Sequence, residues 1–137
     1  MLHSKHVTVP KNTLETQPVR HQFLINRGTI IRAYIHFPWG CAGLVKLRVL
    51  HEGHPFLPVE ADAHIRGDDF TFDLPIMYEI RNMPELITIE AWNEDDTYDH
   101  TVDVLLLTVP KTRIELLDAI QTIIDVQRNL IALREQS

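Results

Sequence analysis

Two hydrophobic periods divide the chain near Pro110. Upstream, short segments alternate apolar and polar residues with a period of two, the pattern of strands buried on one face. Val19, His21, Phe23 and Ile25 alternate with Arg20, Gln22, Leu24 and Asn26. After the turn signal Asn26-Arg27-Gly28, Ile31, Ala33, Ile35 and Phe37 line one face and Arg32, Tyr34 and His36 the other. Pro38-Trp39-Gly40-Cys41-Ala42-Gly43 breaks the pattern before Val45, Leu47 and Val49 resume it against Lys46 and Arg48. His51-Glu52-Gly53-His54-Pro55 reads as a tight connection, and Pro58 limits the next strand to an edge or a short piece. Phe70, Phe72 and Leu74 alternate until Pro75 interrupts, and Ile76, Tyr78 and Ile80 continue. Asn82-Met83-Pro84 opens a loop before Leu86 to Trp92, and the polar turn 93–99 leads into Thr101 to Val109. About eight strands at spacings of roughly 8–12 residues predict an all-β fold, an antiparallel β-sandwich of jelly-roll-like or immunoglobulin-like type.

Downstream of Pro110 the period lengthens to that of one long C-terminal α-helix. Thr112-Arg-Ile-Glu115 has the spacing of a capping box, in which the threonine and glutamate side chains satisfy backbone N–H groups of the first turn. From there to Glu135 no Gly or Pro intervenes, so a helix over 113–135 would have about 23 residues and run roughly 34 Å. Leu117, Ile120, Ile124 and Ile131 line one stripe, with Gln127 filling the missing heptad position. Leu116, Ile123 and Leu130 form a second stripe, and Ala119, Val126 and Leu133 widen the apolar face. A helix apolar over about half its circumference has more surface to hide than one flank of a sandwich covers. The expected arrangement lays Leu116, Ile123 and Leu130 on the sandwich and leaves the first stripe as an oligomer interface. The competing arrangement lays the whole helix on its own sandwich. Isoleucine and leucine at seam positions are compatible with a trimer or larger bundle, and Gln127 would supply a register-fixing polar layer.

These patterns divide the chain into three: residues 1–18 are an N-terminal arm or edge strand, 19–110 a β-sandwich domain, and 111–137 an oligomerising helix. The 137 residues are 45% hydrophobic and 23% charged, enough for one core without a disulfide or metal staple. A net charge of −6 has the wrong sign for broad attraction to nucleic acid or anionic membrane. No apolar run has the ~20 residues of a spanning helix. The first ten residues lack the apolar stretch of a secretory signal, so synthesis in the cytoplasm without a signal peptide is expected.

Candidate chemistry is sparse. His51 and His54 are a close histidine pair, without a third ligand at a recognised spacing. The turn Asn93-Glu94-Asp95-Asp96-Thr97-Tyr98-Asp99-His100 has the hard oxygen ligands that calcium takes, yet reads equally as a hairpin end whose Asn and Asp satisfy the turn backbone. Glu60, Asp62, Glu90 and Asp103 have the side-chain type of a glycosidase pair. Cys41 has no partner base selected by any signature, and the only serines, Ser4 and Ser137, lie at the two ends. No phosphate-binding or dinucleotide motif is present. The expectation is a protein that is not an enzyme and takes no cofactor. Trp39 and Tyr98, beside turns, are the candidate ligand-contacting aromatics of a carbohydrate- or surface-binding module, while Trp92 could instead pack into the second layer.

The run Gly28-Thr-Ile-Ile-Arg-Ala-Tyr-Ile-His-Phe-Pro-Trp-Gly-Cys-Ala-Gly-Leu-Val45, followed by Ile89-Glu-Ala-Trp-Asn-Glu-Asp-Asp96, resembles small β-sandwich proteins of tailed-phage and related mobile-element structural modules. The resemblance spans residues 18–109. It implies a virion or appendage component of the decoration, fibre or adaptor kind, and it assigns no functional residues. The sequence reading is therefore a structural subunit of a virion or assembled particle, associating with itself and with neighbouring structural subunits. The carbohydrate- or surface-binding module is the alternative.

Overall fold

The period-two stretches pair as antiparallel strands in two facing sheets, and the 3.6-period stretch is a single helix. In this computed structural model residues 1–25, 28–81 and 85–136 are described, with side chains throughout except at 111–119 and 135–136. The elements are β1 (Leu2–Val9), β2 (Val19–Ile25), β3 (Gly28–Phe37), β4 (Val45–His51), β5 (His54–Leu57), β6 (Ile65–Arg66), β7 (Phe70–Ile80), β8 (Glu85–Asn93), β9 (His100–Val109) and α1 (Lys111–Gln136). One sheet has the order β1-β9-β3-β7, the other β2-β8-β4-β5 with β6 also on β4. Along the chain every connection between strands crosses to the opposite sheet, except from β4 through β5 to β6. That interleaving is the jelly-roll order, so the immunoglobulin arrangement, in which neighbouring strands more often share a sheet, does not apply.

The inward positions are those that alternation selects. Val7 and Val9, Ile87, Ile89 and Ala91, Val45, Leu47 and Val49, and Val102, Val104 and Leu106 are fully buried in one cluster. Each such Val, Leu or Ile stabilises the fold by about 1.5–3 kcal/mol through lost contact with water. At the two open sides of the sandwich, ring contacts join the sheets. His3 stacks on Phe23 with centroids 5.7 Å apart, and Phe56 stacks on Tyr78 at 4.4 Å. Residues 2–9 form an edge strand on β9, where Lys5 stands on the inward-facing row with Val7 and Val9. An inward charge of this kind disfavours pairing with a further strand.

Three local expectations are corrected. The buried row of β3 is Ile30, Ala33, Ile35 and Phe37, with Ile31 only half-buried. A register shift between Ile30 and Arg32 inserts an extra residue against β9 and reverses the phase of the alternation. Pro75 does not interrupt β7, which runs unbroken through it. β7 is an edge strand, where alternate N–H groups face solvent and a proline there costs no ladder bond. The helix begins at Lys111, directly after Pro110, which places Thr112 inside the first turn rather than ahead of it. The turn residues Asn26 and Arg27 and the loop Asn82-Met83-Pro84 lie outside the described residues.

The registers fix a polarity. Val9 pairs with His100, Val45 with Asn93, Phe37 with Phe70 and Val19 with Ala91. The connections 10–18, 38–44, 67–69 and 94–99 therefore gather at one end. His51 pairs with His54, Ile25 with Glu85 and Thr29 with Val109 at the other end, from which α1 departs. A Cβ on Gly28 would lie 2.6 Å from the Val109 carbonyl oxygen, so only glycine lets β3 start against the exit of β9.

Candidate functional site

α1 leaves the sandwich as a 26-residue helix, about 39 Å long at 1.5 Å per residue. Ile120, Ile123, Val126, Leu130, Ile131 and Leu133 are 45–63% exposed. Ile124 is half-buried and Gln127 exposed. Of the seam residues, Leu117 lies outside the described side chains, as does Leu116 of the second stripe. The expectation that Ile123 and Leu130 rest on the chain's own sandwich is overturned by their exposure, and the same exposure removes the arrangement in which the whole helix folds back. The cause is local. Only Pro110 separates the end of β9 from the start of α1, and returning a helix onto the sheet face takes a connection of several residues. The face opposite the stripes is polar, with Gln121 Nε2 donating to Asp125 Oδ1 at 3.0 Å one turn on.

The far end of the sandwich carries the candidate aromatics. Trp39 is 81% exposed and Tyr98 65%. The loops that hold them are cross-tied. Asn93, fully buried, donates through Nδ2 to the Val9 and Tyr98 carbonyls at 3.1 and 3.0 Å, and its Oδ1 accepts from Asp95 N. Asp95 Oδ1 accepts from Thr97 N at 2.8 Å, and Oδ2 accepts from His100 Nε2 at 2.8 Å. These bonds, His100 first, hold the Asp95 carboxyl below its usual range. Asn12 N donates to the Asp95 carbonyl and Lys11 N to Asp99, which tie the 10–18 loop to this turn. Gly40 N donates to Asp68 Oδ1 at 2.8 Å, and Asp69 N to the Pro38 carbonyl. The acidic turn thus spends its Asn93 and Asp95 oxygens on its own backbone and on His100, as the hairpin-end reading has it. An open depression of about 300 Å³ lies between Asn12–Glu15 and Trp92–Glu94.

The remaining candidates do not converge. His51 is joined to Tyr78 and Glu85 instead of His54: Nδ1 lies 2.6 Å from the Tyr78 hydroxyl and Nε2 contacts the Glu85 carboxylate. Burial, then the Glu85 charge, raises the Tyr78 phenol above its ordinary value. Sequence spacing gives no hint of this trio, whose members come from β4, β7 and β8. Glu90 stands on the outer face of the five-stranded sheet between Arg20 and Arg48, and Asp103 stands on the outer face of the other sheet beside His6. They share no cleft. Glu60 and Asp62 are exposed. Cys41 is buried, and that burial pushes its thiol up to about 11, the reverse of an activated nucleophile. Trp92 is buried on the outer face of β8, covered by Arg48, 5.2 Å from its ring centre, and by the edge of His64. Ser4 is exposed on β1 and Ser137 is outside the described residues. Among the described residues no group of three His, Cys, Asp or Glu is placed to hold a metal ion, and no helix is long and apolar enough to cross a membrane.

In comparisons with known proteins, the chain matches no family model and no curated protein sequence.

Proposed function

We propose that this chain is a non-enzymatic structural subunit that assembles through α1, in a virion or surface appendage of the decoration, fibre or adaptor kind. The observation that carries the reading is the row of large apolar side chains, from Ile120 to Leu133, standing exposed on a helix that leaves its own sandwich. A lone helix of this length is marginal in water, so its apolar face needs a cover. The cover is the same helix of a second and third copy. The 3-and-4 spacing of Ile120, Ile124, Gln127 and Ile131 is that of a coiled-coil seam, and a glutamine at one layer pairs with its own equivalent. Jelly rolls occur in viral capsid proteins and in lectins alike, so the fold by itself does not choose among roles. A second reading, binding to an external surface, is favoured by the exposure of Trp39 and Tyr98. The two are compatible, since the features stand at opposite ends.

Light scattering of the full chain, beside the double variant Ile120→Asp with Ile124→Asp, tests the leading reading. A wild-type oligomer that becomes a soluble, β-rich monomer in the variant supports it. A wild type that is monomeric at high concentration overturns it.

A further inference from the structure

The loop end remote from α1 combines apolar exposure with a surplus of negative charge. Leu14, Trp39, Phe70 and Tyr98 are all more than half exposed there, each from a different connection or its adjoining strand end. The connections 10–18, 38–44, 67–69 and 94–99 hold seven carboxylates and one lysine, a surplus equal to the net charge of the whole chain, with exposed Arg66 at the adjoining end of β6. Glu94 pairs with Lys46 and Asp95 with His100. Glu15, Asp68, Asp69, Asp96 and Asp99 are exposed and make no ion pair with a Lys or Arg among the described residues. The loops are held in place before any partner arrives, by the Asn93 and Asp95 bonds and by Asp68 on Gly40 N. His100 and Gly40 bring the Trp39 and Tyr98 loops together, a Cβ on Gly40 lying 3.9 Å from His100 Cε1.

We infer that this end docks a cationic protein segment, one that lays Lys or Arg side chains across Trp39 and Tyr98 among the carboxylates of these connections. The proposal rests on the surface-binding reading and names its partner. An exposed indole or phenol face attracts a cation through its π-electrons, and a guanidinium also stacks on it. The surrounding carboxylates complement the same charge, steer its approach and repel anionic surfaces. Fixed loops reduce the ordering cost of binding.

The test uses the full chain at about 150 mM salt, where charges beyond ~8 Å are screened. A hexa-arginine peptide is titrated by calorimetry, with a hexa-glutamate peptide and a neutral glucan hexasaccharide as parallel probes. Saturable binding of hexa-arginine alone is expected, weakened about tenfold by Trp39→Ala and about tenfold by Asp69→Asn with Asp96→Asn. All of these sites are exposed, and retention of the unfolding midpoint shows that each variant folds. Binding that is unchanged in both variants overturns the proposal. Trp39-dependent binding of the glucan without binding of hexa-arginine overturns the cationic partner while leaving surface binding standing. No saturable binding of any probe overturns both.

Discussion

Arg48 donates through Nε to Glu90 Oε2 at 2.8 Å while its guanidinium covers the ring of Trp92. Arg20 donates to the other oxygen of the same carboxylate at 3.0 Å. The two arginines are not equivalent, because the Arg48 side chain is 20% exposed and that of Arg20 56%. Arg48→Ala removes a shielded charge-assisted bond and uncovers an indole, and is expected to cost about 1–2 kcal/mol. Arg20→Ala should cost under about 1 kcal/mol, as solvent-exposed ion pairs do. Urea unfolding followed by tryptophan emission measures both. Equal costs would mean that Arg48 does not shield Trp92 in solution.

The pairing of Asp95 with His100 predicts a sign for acid sensitivity. Its folded-state carboxyl is held below the ordinary value, so its contribution to stability is present above the unfolded carboxyl value of about 3.9 and fades as pH falls through the lower folded value. The gap in unfolding free energy between wild type and Asp95→Asn should be steady from about pH 6 to about pH 5 and shrink below about pH 4. Glu90 adds acid sensitivity of the same sign. Burial alone would raise its value, but bonds from Arg48 and Arg20 bring it below the ordinary one. A gap independent of pH would show that the Asp95 bonds do not select its ionised form.

The shifted phase of β3 is testable with two neighbouring isoleucines. Ile30 is fully buried, and Ile30→Ala should cost about 2–5 kcal/mol from lost transfer energy and the cavity left behind. Ile31, half-buried at the register shift, should cost under half as much on the same substitution. Thermal or urea midpoints of the two variants decide it. The opposite ranking would restore unbroken alternation through the strand.

Under the proposed assembly through α1, Gln127 would be the layer that trades stability for a defined state. Gln127→Ile should raise the thermal midpoint of the assembly while broadening the distribution of masses seen in sedimentation velocity. An unaltered distribution and midpoint would place Gln127 outside the seam.

Alternation is enough to find most strands from Val19 to Val109, which have one wet and one dry face, whereas β8 is buried on both. It is silent on strand order, because β1 finds β9 and β2 finds β8 through contacts far apart in the chain. Ile30 takes the place of Ile31 in the core because a single extra residue puts the positions before it out of phase with Ala33, Ile35 and Phe37, and no residue type marks such an insertion. Tyr78, His51 and Glu85 meet across two sheets and carry no shared motif. The turn at Asn93 and Asp95 is legible in the sequence, since short polar side chains bond the backbone only a few residues away. The stripes of α1 are legible too, but where they point is decided by the lone residue Pro110 between strand and helix.

The interleaved strand order also imposes a sequence of events during synthesis. β1 and β3 both take β9 as a neighbour, and β9 comes after every other strand of the sandwich among the described residues. The four-stranded sheet therefore cannot close before β9 is made, whereas the β4–β5 hairpin and the β4–β6 pairing are local enough to form early. Completion of the sandwich therefore awaits β9, which α1 follows directly. Under the proposed assembly, α1 is made only after every strand of the sandwich, so a half-built subunit cannot yet join its neighbours through it.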